Sequence, residues 1–268
     1  MSKESNSLTI SGIAKTITDI MGIGAPNQSK GSIDIICAKA MSAFGDKNAD
    51  RVFIYNPDAI ALWLFQKYTS LFEDVLINSD MRLPMRAVMP SVTPVCFATM
   101  YTGAEPSVHG ITAYEKPVLK ADTVFDALIR AGLKPAIVST TGDSTSCIFL
   151  DRKMDYFIFD TTEECNEKAL ELIKEDKHDL ILLYNPNYDN AMHKHGTESN
   201  EALKELKKNV ETYSMLVAQI EKHWTKHRTM IGFCPDHGCH DHELYGQLGG
   251  HGLDIAEDMN VIHFFKFI

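Results

Sequence analysis

The chain has 268 residues, of which 44% are hydrophobic, 9% aromatic and 23% charged. That is the composition of a soluble globular protein, with length for one large α/β domain or two small ones. Lys plus Arg number 26 against 36 Asp plus Glu, a net charge of −10, which excludes the broad positive field that gathers nucleic acid or anionic lipid.

At the N-terminus, MSKESNSLTI lacks the basic start and apolar run of a secretory leader. No later stretch approaches the ~18 apolar residues of a membrane span. A cytoplasmic location without membrane attachment is therefore expected. The first predicted strand is Arg51–Asn56, and a second, Arg86–Met89, leads into a turn over Ser91–Thr93. Pro94 can then open a helix at its first position. Thr123–Ala131 reads as a helix stopped by Gly132. Strands follow at Pro135–Ser139 and Tyr156–Asp160, then a helix at Thr162–Lys174 and a strand at Asp179–Tyr184. The continuous run LILLY in that last strand suits a parallel strand buried on both faces. From about Glu198 to His223 the apolar residues Leu203, Leu206, Val210, Tyr213, Leu216 and Ile220, with Trp224, step by three and four, as on one helix face. Strands at Met230–Cys234 and Val261–Phe267 close the chain. The six cysteines (Cys37, Cys96, Cys147, Cys165, Cys234, Cys239) are scattered, mostly in apolar runs, and read as reduced.

Strand and helix in alternation predict an α/β fold: a doubly wound, mostly parallel sheet with helices on both faces. Sites in such sheets form beyond the carboxyl ends of strands, and there the unusual residues lie. Asp58 follows the first strand. Asp189 and, four residues on, His193 follow LILLYN. Asp236–His237–Gly238 follows MIGFC, and His251 lies in GGHGLD. Three carboxylates and three imidazoles meet at one rim if these strands are parallel neighbours, and that mixed oxygen and nitrogen set suits zinc, with manganese or iron as alternatives.

Each piece has a plainer reading. Asp58 alone is a helix cap; Asp189 and His193 form a surface pair, with His195 as competitor; Asp-His-Gly is a turn. Cys234, Cys239, His240 and His242 offer a rival structural zinc site, although their spacing fits no usual finger. Thr93, before Pro94, falls at a helix start, where free N–H groups and the positive dipole end meet an anion; the plainer reading makes it the cap.

In combination, YNPDA, PSVTPVCFATMYTGAEPSVHGI, DNAMHKHGTES, PDHG and GGHGLD resemble, in order from about Val52 onward, the alkaline phosphatase superfamily, in particular its nucleotide pyrophosphatase/phosphodiesterase branch. The resemblance implies an alkaline phosphatase-like core and a two-metal hydrolase of phosphate esters. Thr93 matches the nucleophile, nine residues before Thr102–Gly103. Asp58, Asp236 and His237 match ligands of the metal that activates it, and Asp189, His193 and His251 ligands of the second. His109–Gly110 matches a motif that shapes the site, with no metal role. Two dications ~4 Å apart stabilise attacking and leaving oxygens, and with three carboxylates they leave a formal site charge of plus one. This supplies the positive charge that an acidic chain lacks for an anionic, small-molecule phosphate ester. The implied route runs through a phosphothreonine intermediate.

There are departures. Where the branch carries Asn three residues after the nucleophile, this chain has Cys96, a weaker donor. The sulfatase pattern Cys-x-Pro-x-Arg is absent. The chain is short for the superfamily and reads as one domain, 1–268, without a large cap insertion. Residues 11–31 resemble the segment that commonly closes superfamily members at the C-terminal end, which points to a permuted closing helix. No Arg stands near Thr93 for a monoester dianion, which favours diesters or pyrophosphates. A phosphomonoesterase or phosphomutase on the same site is the alternative within enzymes, and a non-catalytic metal-binding homologue the alternative outside them.

Overall fold

A computed structural model describes residues 8–244 and 246–268. The first seven residues, part of the segment read above for a leader pattern, lie outside it. The strands are β1 (Arg51–Pro57), β2 (Met81–Arg86), β3 (Pro135–Thr140), β4 (Asp155–Phe159), β5 (Leu180–Asn185), β6 (Thr229–Phe233), the hairpin pair β7 (His240–Leu244) and β8 (Gln247–Gly250), and β9 (Asn260–Phe267).

Seven of them form one sheet in the order β2-β9-β6-β1-β5-β3-β4. Pairing is parallel throughout β6, β1, β5, β3 and β4, and β9 runs antiparallel to both β6 and β2. This is the mostly parallel α/β sheet expected of an alkaline phosphatase-like core. Alternate side chains of the central strands enter two separate cores. Val52, Ile54, Leu180 and Leu182 pack under the helices Ile13–Met21, Thr93–Thr102 and Val124–Arg130. Phe53, Tyr55, Ile181 and Leu183 pack under the helices Thr162–Glu175 and Asn200–His223. Burial on both faces is why LILLY shows no polar alternation. Among the described residues, no helix is long and apolar enough to cross a membrane.

The second predicted strand is displaced. It occupies Met81–Arg86, not Arg86–Met89. Here Leu83 and Met85 are buried while Arg82 and Pro84 are exposed, as befits an edge strand covered on one face. The short apolar run Ala87–Met89 is the connection beyond it.

The helix starts have local causes. Thr123 and Thr161 each close a capping box, with Asp126 and Glu164 respectively, which satisfies backbone N–H groups that a helix start leaves free. The segment resembling a closing helix forms Ile13–Met21, against Thr93–Thr102 and Val124–Arg130. The next helix, Asp34–Phe44, reaches the last strand, with Phe44 edge-on to Phe267 at 6.0 Å between ring centres.

Candidate two-cation active site

Four strand ends bring the site together. β1 leads to Asp58, whose N–H is tied to the carbonyl of Asn185 at the end of β5 (3.0 Å). After β5 the helix Asn187–His195 carries Asp189 and His193 on one face, one turn apart. β6 leads through Pro235 to Asp236 and His237. Gly238 then lets the chain pass against the turn before β9: a Cβ there would lie 1.9 Å from the carbonyl oxygen of Glu257, so no other residue fits. β8 leads to His251.

Thr93 opens the helix Thr93–Thr102, but the cap position is Val92, and no side chain caps this end. The Thr93 hydroxyl is therefore not engaged as a cap, and Pro94 takes the second helical position. Thr93 is buried. Its Oγ1 lies 3.2 Å from His237 Nε2 and 3.5 Å from Asp58 Oδ2.

Two groups of three donors surround it. Asp58, Asp236 and His237 have ligand atoms all within 4.8 Å of one another, and so do Asp189, His193 and His251. The groups adjoin: the rings of His237 and His251 stack with centres 4.0 Å apart. The geometry thus assembles all seven residues singled out from the sequence. Asp58 caps no helix, since the next one starts at Leu62.

The donor chemistry fits cations. His237 Nδ1 faces the carbonyl of Gly238 at 3.0 Å, His193 Nδ1 that of Gly249 at 2.8 Å, and His251 Nδ1 that of Ser91 at 3.0 Å. A carbonyl only accepts, so each Nδ1 carries the hydrogen and each Nε2 presents a lone pair. His237 Nε2 faces Asp236 Oδ2 at 3.3 Å and Asp58 Oδ1 at 3.5 Å. Neither oxygen has a hydrogen-bond partner, nor has Asp189 Oδ1. Lone pair thus opposes lone pair in a buried place, an arrangement relieved by a cation bound between the groups or by a proton taken up by a carboxyl. Among the described residues, no Lys or Arg forms an ion pair with these carboxylates.

The electrostatics carry the same mark. Burial, reinforced by Asp236 and Asp189, pushes the Asp58 carboxyl well above the usual range. Burial raises Asp236 from 3.8 to about 7. His237 is held well below its ordinary value by burial and by His251, and His251 is also lowered, by burial first. Burial opposes charge on Asp189, but His193 and His251 outweigh it and the carboxyl is lowered. His193 is raised because Asp189 outweighs its burial.

Other residues take other places. Cys96 is fully buried in the core under the Thr93 helix. His109 is a structural residue: its Nδ1 accepts the N–H of Ile111 (3.2 Å), so Nε2 donates to Thr99 Oγ1 (2.9 Å). The rival cysteine–histidine site does not form. Cys234 and Cys239 lie in opposite cores, and His240 Nδ1 is paired with Asp258 at 2.7 Å. His195 lies apart from the donor groups, beside Glu198 and His242.

One contributor was missed from sequence. Tyr184 donates to Asp58 Oδ2; it is the last aromatic of LILLYN, pointing to the face opposite Leu183, and only the strand's alternation hinted at it.

The family model described as type I phosphodiesterase / nucleotide pyrophosphatase matches residues 61–130 and 145–248, a span that includes Thr93, Asp189, His193, Asp236 and His237. Human ectonucleotide pyrophosphatase/phosphodiesterase 5 superimposes with a TM-score of 0.64 at 14% identity, over 80% of this chain and 87% of that one. Phosphonoacetate hydrolase from Sinorhizobium meliloti 1021, solved with phosphonoformate, gives 0.54 at 16% identity over 71% of this chain and 57% of that one. An inactive form of murine ectonucleotide pyrophosphatase/phosphodiesterase 5 in complex with AMP gives 0.58 at 15% identity over 72% and 58%. This chain therefore spans little more than half of the latter two. A sequence search of curated proteins finds no match.

Proposed function

The chain belongs to the type I phosphodiesterase / nucleotide pyrophosphatase family, phosphoric ester hydrolases of the alkaline phosphatase superfamily, and from that membership we propose that it is a metal-dependent phosphodiesterase with Thr93 as nucleophile. One observation carries the reading: the Thr93 hydroxyl, free of any capping bond, lies 3.2 Å from His237 Nε2, at the junction of two buried three-donor groups.

In this reading Asp58, Asp236 and His237 hold one divalent cation beside Thr93, and Asp189, His193 and His251 hold a second. Zinc suits the donors, with manganese as the alternative. Two dications bound there supply Lewis-acid neutralisation of the charge on the attacking and leaving oxygens.

The chain's own residues do the rest. Thr93 is the first residue of its helix, and the positive end of the helix dipole favours the ionised oxygen. Thr93 Oγ1 attacks phosphorus in line; the new O–P bond forms as the bond to the leaving alcohol breaks. Water then cleaves the phosphothreonine, returns the hydroxyl and releases a phosphate monoester. The three backbone carbonyls that hold the Nδ1 atoms fix each imidazole, so positioning is built in before substrate arrives.

Among the described residues, no Arg or Lys forms an ion pair at the donor groups, which supports a diester, since it carries one negative charge fewer than a monoester dianion. The test is a panel of phosphate esters, including bis-p-nitrophenyl and p-nitrophenyl phosphate, run with zinc, manganese and magnesium. Metal-dependent turnover that favours the diester supports the proposal. Preference for the monoester assigns the site to phosphomonoesters, and bound metal with no turnover of any ester makes the chain a non-catalytic homologue.

A further inference from the structure

Among the described residues, four other than glycine have a positive φ: Asp46, Ala59, Asp151 and Asp176. The three aspartates are not buried, and their residue type tolerates the left-handed region. Ala59 is different. It has φ 61°, carries no polar group to compensate, and is fully buried directly after Asp58 at the end of β1. Its Cβ makes that conformation strained. Such strain persists only where the surroundings over-determine the backbone, and it marks functional positions. Here the flanking residues are tied on both sides. The N–H of Asp58 is held by the carbonyl of Asn185 at 3.0 Å, and Ala61 is bridged to Val261 of β9.

The N–H that this turn presents goes to the catalytic rim. It donates to Asp236 Oδ1 at 3.4 Å, and among the described residues no other hydrogen bond reaches that carboxylate. Asp236 Oδ2 is left without a partner, 3.3 Å from His237 Nε2. Asp58 is divided in the same way. Its Oδ2 accepts from Tyr184, and its Oδ1 is unpartnered, 3.5 Å from the same Nε2. Each carboxylate thus has one oxygen held and the other turned toward one imidazole. For Asp58 the holder is a phenol; for Asp236 it is a backbone N–H, which has no rotamer to lose. Burial pushes the Asp236 carboxyl up to about 7, and the Ala59 N–H acts against that rise by favouring the ionised form.

We propose that Ala59 is a positioning residue: its left-handed backbone aims one N–H at Asp236 Oδ1, so that Oδ2 stands ready for the cation held with Asp58 and His237. The inference rests on the metal-binding reading of that group. It assigns the strain at Ala59 to the orientation of a ligand set before the ion arrives.

The test replaces Ala59 by L-lactic acid in the full chain. That exchange turns the N–H into an ester oxygen and keeps the methyl side chain. Among the described residues no hydrogen bond is accepted by the Asp58 carbonyl, so the weaker ester acceptor disturbs nothing there. Zinc affinities are measured by chelator competition, with His251→Ala marking which ion belongs to the second donor group. The ester should weaken the other ion by roughly tenfold or more relative to the second. Ala59→Val, whose branched side chain resists a positive φ, should do the same if its circular dichroism is unchanged. A purely structural role would lower the unfolding midpoint of the chelated protein and leave both affinities at parental values. That result in the ester, or equal weakening of both ions, would overturn the proposal while two zinc ions in the parent kept the metal reading intact. A parent that binds no zinc would overturn both.

Discussion

Tyr184 donates its phenolic hydrogen to Oδ2 of Asp58, while Oδ1 of the same carboxylate has no partner. One oxygen is thus held and the other released toward Asp236 and His237. Hydrogen bonds of this kind orient a ligand and set its basicity. Tyr184→Phe removes the donor and keeps the ring, which packs edge-on against Phe97 at 5.4 Å. Zinc affinity by chelator competition should fall ~10–100-fold, with little change in the unfolding midpoint of the chelated protein. An unchanged zinc affinity would make the tyrosine a packing residue only.

Thr93→Ala should lower kcat by at least about a thousandfold, the scale on which loss of a nucleophile is felt, while the protein keeps its fold and its bound metal. Thr93→Ser should keep measurable turnover. Stopped with acid during turnover of a slow diester, the parent should yield a peptide phosphorylated at Thr93 in mass spectrometry. Near-parental turnover in Thr93→Ala would refute the nucleophile assignment.

Much of this was legible because the chemistry sits at strand ends. β1, β5 and β6 are buried on both faces, so their apolar runs stand out, and Asp58, Asp189 and Asp236 are the first carboxylates beyond them. β2 was less legible: one face is exposed at the sheet edge, so its alternation MRLPMR hides the strand, and the apolar run Ala87–Met89 drew the prediction too far along the chain. Tyr184 gave only the faint signal of its strand's alternation, since its role depends on a partner distant in the chain: 126 residues separate it from Asp58. Thr93 could not be told from a cap until the structure assigned that position to Val92.

One cation per donor group, as proposed, predicts two ions with separable affinities. His251→Ala removes one Nε2 from the group with Asp189 and His193. Metal analysis after dialysis should fall from two zinc ions per chain to one, and turnover should fall with it. Two ions retained at parental affinity would exclude His251 as a ligand.

Chelation should make stability depend on pH through the same carboxylates. Asp236 has its folded value raised from 3.8 to about 7 by burial first, and Asp58 is raised well above its ordinary value, also by burial first. The folded state of the chelated protein then binds these protons more tightly than the unfolded state does. Its stability from this source is present at low pH and is lost as pH rises through about 4 to about 7. Zinc favours the ionised carboxylates and reverses the trend. The gap in unfolding midpoint between zinc-loaded and chelated protein, measured by scanning calorimetry, should widen from pH ~5.5 to ~7.5. A gap that stays constant would separate the cations from Asp58 and Asp236.

His263 should act with the opposite sign. On β9, its Nε2 donates to the carbonyl of Pro235 at 2.7 Å, immediately before Asp236, and its Nδ1 is buried without a partner. Protonation would place both a charge and an unpaired N–H in the core, and burial accordingly lowers the ring from 6.5 to about 4. The unfolded chain takes up this proton first. The histidine's contribution is therefore complete above about pH 6.5 and is lost as pH falls toward 4, by up to about 3 kcal/mol. His109, also lowered to about 4 by burial, acts in the same direction. Urea unfolding of chelated parent and chelated His263→Gln, compared from pH ~7.5 to ~5, cancels the shared carboxylate contribution. The parent should lose stability more steeply, and the variant should keep the shallower slope that His109 supplies. Parallel slopes would mean that His263 takes up its proton over the same pH range in the folded and unfolded states, so that burial does not hold the ring neutral.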